Sequence, residues 1–183
     1  MGHAAGLDRI GYASAEPFPD VRAVLEQRRA VGLAADMAFT YRNPARSTDL
    51  RRSFPWARSL VVGLLRYPGP ASGGPASGDP ASGDPASGNP ASGSHPLPGR
   101  PVARIAAYAA SDCYADLRAG LGAVAQVLLD VGHRASVVAD SNALVDRAAA
   151  VRAGLGWCGK NANVLAPGLG SWFVIGSGVC GLA

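Results

Sequence analysis

Apolar and polar positions along this chain alternate between two periods, and their order predicts strands interleaved with helices. A short strand is expected around Ile10-Gly11-Tyr12, before the break at Pro17-Phe18-Pro19. Asp20 can then cap a helix running to about Val31, with Val21, Val24, Leu25 and Arg28 at helical spacing. Thr40 to Pro55 is polar, arginine-rich and closed by proline, which predicts loop. Arg58 to Tyr67 (RSLVVGLLRY) is a buried-strand candidate. Arg104 to Tyr108 reads as a further strand or strand end. It is followed by a helix over Ala115–Val131 that puts Leu117, Leu121, Val124, Ala125 and Leu128 on one face. Ser136 to Ala139 is a β-branched run, and Asp140-Ser141-Asn142 then offers side-chain oxygens for a helix N-cap. The helix expected behind that cap spans Ala143–Ala153, with Leu144, Ala148 and Val151 on its inner face and Gly154 as its terminator. Trp172 to Ile175 is a further apolar run, behind Gly170-Ser171. Strand–helix–strand connections of this kind imply an α/β fold, mixed α+β in detail.

Between Pro70 and Gly93 the periodicity vanishes. PASG recurs every five residues, at Pro70, Pro75, Pro80, Pro85 and Pro90, with Gly74, Asp79, Asp84 and Asn89 as spacers. The segment holds no branched aliphatic or aromatic residue, so burial cannot offset the entropy of ordering it. Residues 68–100 are therefore expected to be a disordered insertion. The remainder suffices for one domain with a core, since 48% of the 183 residues are hydrophobic.

A formal charge of +4 permits a nucleic-acid partner without demanding one. Arg28, Arg29, Arg46, Arg51, Arg52 and Arg58 bias the first third, either as solvated surface or as a phosphate-contacting patch. Residues 1–20 contain no continuous apolar stretch of leader type, and no run is long enough to span a membrane. Cys113, Cys158 and Cys180 are odd in number and widely spaced, which fits a reducing cytoplasm better than a disulfide framework. They form no C-x-x-C pair, and the three histidines are scattered, so no metal site is expected.

The chemistry concentrates between Ser136 and Ile175. Gly154-Leu155-Gly156-Trp157-Cys158-Gly159-Lys160-Asn161 satisfies G-x-G-x-x-G, and satisfies the phosphate-loop pattern G-x(4)-G-K except at Asn161. Both motifs need a strand before the glycines and a helix after them, whereas here a helix precedes. A nucleotide-binding loop and a plain glycine-rich turn are the two readings of these residues taken alone.

DSNALVDRAAAVRAGLGWCGKNANVLAPGLGSWFVIG, from Asp140, resembles the epoxyqueuosine reductase family, cobalamin- and iron–sulfur-dependent enzymes of queuosine biosynthesis. YRNPARSTDLRRSFPWARSLVVGLLRYP (from Tyr41) and RIAAYAASDCYADLR (from Arg104) match the same family in order and approximate spacing. The resemblance covers most of residues 7–67 and 101–177, taken as one N-terminal cobalamin-binding domain like the corrinoid module of reductive dehalogenases and nitroreductase-like proteins. Residues 178–183 then read as a truncated or divergent tail.

That resemblance implies reduction of an epoxide on a cyclopentane ring to an alkene, at the wobble nucleotide of transfer RNA. It implies Asp140 as the acid that protonates the departing oxygen. Arg46, Ala106, Asp140, Val164 and Ile175 fall at its corrinoid-contacting positions, Ala106 through its backbone. Tyr114 is retained, while Ala107, Cys113 and Ala115 replace polar residues of the family pattern; Lys160 is assigned no catalytic role. An ordinary aspartate titrates near about 3.9, so a proton on Asp140 at neutral pH would need burial to hold it. In the family a ferredoxin-like half with two four-cysteine runs holds two [4Fe–4S] clusters. The 183 residues contain no such run, so turnover by this stretch alone is not expected. Transfer RNA, a corrinoid and an electron donor are the implied partners.

Overall fold

The computed structural model describes residues 5–36, 39–67, 107–109 and 111–183. The PASG repeat, Ala106 and most of the strand expected from Arg104 lie outside the described residues.

Four strands form one antiparallel sheet in the order β1 (Arg9–Ser14), β2 (Ser59–Arg66), β6 (Phe173–Cys180), β3 (Ala135–Ala139). The register is continuous across it: Ser59 pairs with Cys180 and Cys180 with Ala135, while Leu64 pairs with Arg9 and Ile175. β6 runs through Cys180, so Gly178–Cys180 belong to the sheet. The final strand lies between β2 and β3, and both outer neighbours run antiparallel to it.

Both faces of the sheet are covered, as a strand with side chains alternating into two apolar layers requires. Over one face lies α4 (Cys113–Asp130), whose Leu117 and Leu121 are wholly buried and pack with Val174 and Leu7. It starts two residues before the periodicity suggests, because the Asp112 carboxylate accepts from Ala115 N at 3.0 Å and caps it there. On the other face Leu60, Val62, Leu64, Val138 and Val179 meet Ala149 and Ala150 of α5 (Asp146–Arg152), with Phe18 and Leu50 from the connecting layer.

That connecting layer holds α1 (Pro19–Ala30), α2 (Phe39–Arg42), α3 (Pro44–Ser47) and a 3₁₀ turn at Leu50–Arg52. The stretch read as loop thus contains short helical turns, set by Asn43 and Asp49 side chains accepting from Arg46 N and Arg51 N. α1 buries no residue; Val21 and Leu25 only lean on the core, and Val24 is exposed.

The largest departure is at α5. The helix begins at Asp146 rather than Ala143, and Asp140-Ser141-Asn142 do not cap it. Asp140 takes a positive φ of 51°, and Ser141 Oγ accepts from Ala143 N at 3.3 Å, so these residues make a turn that drops Ala143, Leu144 and Val145 into the core. The inner face of the helix is consequently Ala149 and Ala150, with Val151 exposed.

Candidate site at the end of strand β3

Three chain ends converge at one edge of the sheet: the exit of β2, the exit of β3 and the entry of β6. Asp140 follows β3 directly and is exposed. Burial of Asp140, the condition set above for a proton there, is not supplied by the described residues. The carboxyl that the fold does shield sits six residues on.

Asp146 opens α5, and its Oδ1 is buried without a hydrogen-bond partner among the described residues. Burial pushes this carboxyl up to about 8, and the Asp140 carboxylate adds to the shift. Asn142 Oδ1, on the same turn, is likewise buried and unpartnered. Tyr114, in the first turn of α4, faces the same charges. Its hydroxyl is raised by burial first, then by Asp140, Asp146 and Tyr108, against an opposing pull from Arg147. The Arg147 guanidinium donates to Ala162 O at 3.2 Å. Asp140, Asp146 and Tyr114 therefore form one electrostatic unit of two carboxyls and a phenol.

An aromatic group stands at the same sheet edge. Tyr67, just past β2, meets Trp172 edge-to-face with centroids 6.0 Å apart, and Tyr108 at 6.1 Å. Burial raises the Tyr67 hydroxyl, with smaller contributions from Cys113 and Tyr108. Trp172 and Tyr108 remain about half exposed, and so present unfilled aromatic surface at this edge of the sheet.

The residues singled out from the sequence are distributed unevenly around this site. Val164 lies in β5 (Val164–Leu165), only 3% exposed, so its side chain is committed to the core. Ile175 of β6 is half-buried and packs against the same cluster. Arg46 sits on α3, exposed, with Nε donating to Ser53 Oγ at 3.0 Å. Asp146 is the residue that sequence reasoning passed over; its signal was available as a second carboxylate on the Asp140 loop, within the VDRAA run.

The glycine loop has the wrong surroundings for a phosphate cradle. It runs from the end of α5 through β4 (Trp157–Cys158), which pairs with β5 in a hairpin, so a helix rather than a strand precedes the glycines and a hairpin turn rather than a helix follows them. Its glycines have structural reasons instead. Gly154 takes φ +71° after the helix end, and a Cβ on Gly156 would stand 2.1 Å from Leu165 O. Gly159 N donates to Asn163 O at 2.8 Å to close the hairpin, and Asn161 Oδ1 accepts from Asn163 N at 3.2 Å.

Among the described residues no three His, Cys, Asp or Glu side chains gather as a metal site. Cys113 and Cys180 are buried and Cys158 is exposed. A broad, flat, largely apolar cofactor such as a corrinoid has a compatible surface here: exposed Trp172 and Tyr108, half-buried Ile175, and the unpartnered Asp146 and Asn142 oxygens on the stretch that follows Asp140. Val164 fits such a group only through its backbone. No helix among the described residues is long and apolar enough to cross a membrane.

No family model matches the chain. Among curated relatives, an epoxyqueuosine reductase of Staphylococcus aureus is 31% identical over 175 residues, covering 95% of this chain and 41% of the relative. One from Bacillus cereus is 26% identical over 172 residues, covering 93% and 40%. The chain therefore spans about 40% of the length of these relatives. Solved epoxyqueuosine reductases share the fold. That of Streptococcus thermophilus superposes with a TM-score of 0.66 at 20% identity, over 100% of this chain and 44% of that one. One solved with an epoxyqueuosine-modified tRNA-Tyr stem loop gives 0.68 at 19%, over 98% and 43%. One from Bacillus subtilis, with its catalytic aspartate loop swung out of the active site, gives 0.67 at 19%, over 98% and 43%.

Proposed function

From a chain homologous over 93–95% of its length to epoxyqueuosine reductases, we propose that this is the corrinoid- and substrate-facing part of such an oxidoreductase. Its substrate is epoxyqueuosine at the wobble position of tRNA, and its product is queuosine. The fold is read as a corrinoid module of the reductive-dehalogenase type, formed by residues 1–67 and 101–177 together with residues 178–180, which complete β6 rather than form a separate tail.

Opening an epoxide to an alkene consumes two electrons and two protons and releases the oxygen as water. The observation that carries the proposal is the pairing of Asp140 and Asp146, an exposed carboxylate on the turn after β3 beside a shielded carboxyl that keeps its proton. Asp140, exposed on its turn, would reach a substrate oxygen and pass a proton to it as that oxygen leaves. Asp146, shielded and held protonated near neutral pH, would keep the proton to be relayed next to it. Tyr114 adds a neutral hydroxyl to the same cluster.

Cobalamin, when bound, supplies the electrons through a cobalt in a low oxidation state. Trp172, Tyr108 and Ile175 would form the apolar wall against it, with Arg46, Asp140, and the backbones of Ala106 and Val164, as further contacts. Iron–sulfur clusters are expected to serve this reaction from cysteines that the 183 residues do not contain.

Titrating the purified chain with cob(II)alamin tests this reading. A saturable shift of the corrinoid visible spectrum is expected, and Trp172→Ala should weaken it by about tenfold, as loss of one large aromatic contact would. An unchanged spectrum at saturating protein would remove the corrinoid from the proposal.

A further inference from the structure

The opposite end of the sheet carries a second concave surface. Arg58 immediately precedes β2, Arg134 immediately precedes β3, and Gly181 immediately follows β6. The strand ends lock these positions together, with Arg58 N donating to Cys180 O and Gly181 N to Arg134 O, each at 2.9 Å. A cavity of about 630 Å³ opens there, lined by Arg51, Trp56, Arg58, His133 and Arg134 with no carboxylate in its wall. Five residues of β3, about 16 Å of strand, separate it from Asp140.

The cations in this wall are not equivalent. Arg51 is used internally, paired with Glu16 at 2.6 Å and donating to Ala57 O at 3.3 Å. Arg134 stacks its guanidinium 5.0 Å from the Trp56 ring centroid, and Trp56 is braced edge-on by Phe54 at 5.7 Å. Arg58 and Arg134 are exposed, and neither makes an ion pair among the described residues. Arg134 therefore presents a partly oriented fork of donors to the cavity, and Arg58 a free one, while His133 contributes a ring to the same wall. Guanidinium forks match phosphate oxygens two at a time.

The spread of cations along an open concave surface, rather than around one enclosed hole, favours a strand over a single anion. Arg58 and the Trp56-stacked Arg134, on neighbouring strand ends of one wall, are placed to meet successive phosphates of a backbone. We propose that this basic cavity binds the phosphodiester backbone of RNA, as a docking surface remote from Asp140. The inference extends the tRNA partner proposed above to a second surface, and the two can fail separately, because neither Asp140 nor corrinoid is needed for this contact.

The test is fluorescence anisotropy of a labelled, unmodified RNA stem-loop with the whole 183-residue chain, across a series of KCl concentrations. Arg58→Gln with Arg134→Gln should raise the Kd roughly tenfold. It should also flatten the plot of log affinity against log salt by about one unit per arginine. Arg28→Gln with Arg29→Gln, on the last turn of α1, removes the same charge elsewhere and should change Kd less than about twofold if contact rather than net charge decides. Arg58→Gln alone, which gives up no internal contact, should show half of the slope change and covers the case in which the double variant misfolds. Equal losses in both double variants, or none in the Arg58 variants, would overturn the proposal. So would displacement of RNA by millimolar inorganic phosphate at constant ionic strength, which would make this a small-anion site. Loss of corrinoid binding with RNA binding intact would leave this surface standing and remove only the reading of the Asp140 site.

Discussion

The carboxylate of Asp140 raises the proton affinity of Asp146, and the two residues lie on one turn between β3 and α5 with opposite exposure. The exposed group can reach a ligand, and the shielded one keeps its proton because its charged form would be poorly solvated. The consequence for stability has a definite sign. Asp146 in the folded chain titrates near 8, against an unfolded value of 3.8. The folded state therefore holds the proton more tightly. The stabilisation is fully present below the unfolded value and is lost as pH rises towards 8, with a slope of at most about 1.4 kcal/mol per pH unit. Urea unfolding at pH 5, 6.5 and 8 should show wild-type stability falling through this window. Asp146→Asn should flatten the profile and be the more stable protein at pH 8. Parallel profiles would show that the carboxyl is not proton-bound.

Asp140→Asn separates proton delivery from binding. In a protein completed with the cluster-bearing half, corrinoid binding should persist while epoxide reduction falls by about 100- to 10,000-fold, the usual contribution of a positioned acid. In the 183-residue chain the same change should lower the Asp146 titration midpoint, read by carboxyl carbon NMR, because the neighbouring charge is gone. Near-normal turnover would reduce Asp140 to a turn residue.

Gly156 tests the structural reading of the glycine loop. An added Cβ would stand 2.1 Å from Leu165 O, a backbone atom that moves only if the β4–β5 hairpin moves. Gly156→Ala should cost about 1–3 kcal/mol in chemical denaturation, with no dependence on nucleotide or magnesium. Restoration of stability by ATP would revive the phosphate-loop alternative.

The ends of the chain on either side of the PASG repeat approach each other, with the Tyr67 and Tyr108 rings 6.1 Å apart. Deleting Gly69 to Ser94 should therefore leave Tm nearly unchanged, since loop closure costs only about 0.6 kcal/mol per doubling of length. A broadened or non-cooperative melt would show that the repeat packs on the core.

Much of the scaffold is legible in the sequence because it depends on local periodicity. The β2 run, the β3 run and α4 follow from apolar spacing, with Leu117 and Leu121 inward as expected. Gly154 ends α5 as a left-handed residue should. The resemblance was legible too, because its late motif is contiguous. Other features depend on which segments meet. Asp140-Ser141-Asn142 has the composition of a helix cap, yet the need to bury Ala143, Leu144 and Val145 turns the chain first and delays the helix to Asp146. That delay, invisible to propensity, shields Asp146 and leaves Asp140 outside. Arginines 28, 29, 51 and 58 look like one basic stretch in the first third of the chain. Folding leaves the first two at the end of α1 and brings the last two to a cavity with Arg134 from the far side of the sheet. Sequence determines which side chains carry charge and where strands can form; burial and long-range pairing decide which of those charges keep a proton, find a partner or stay open.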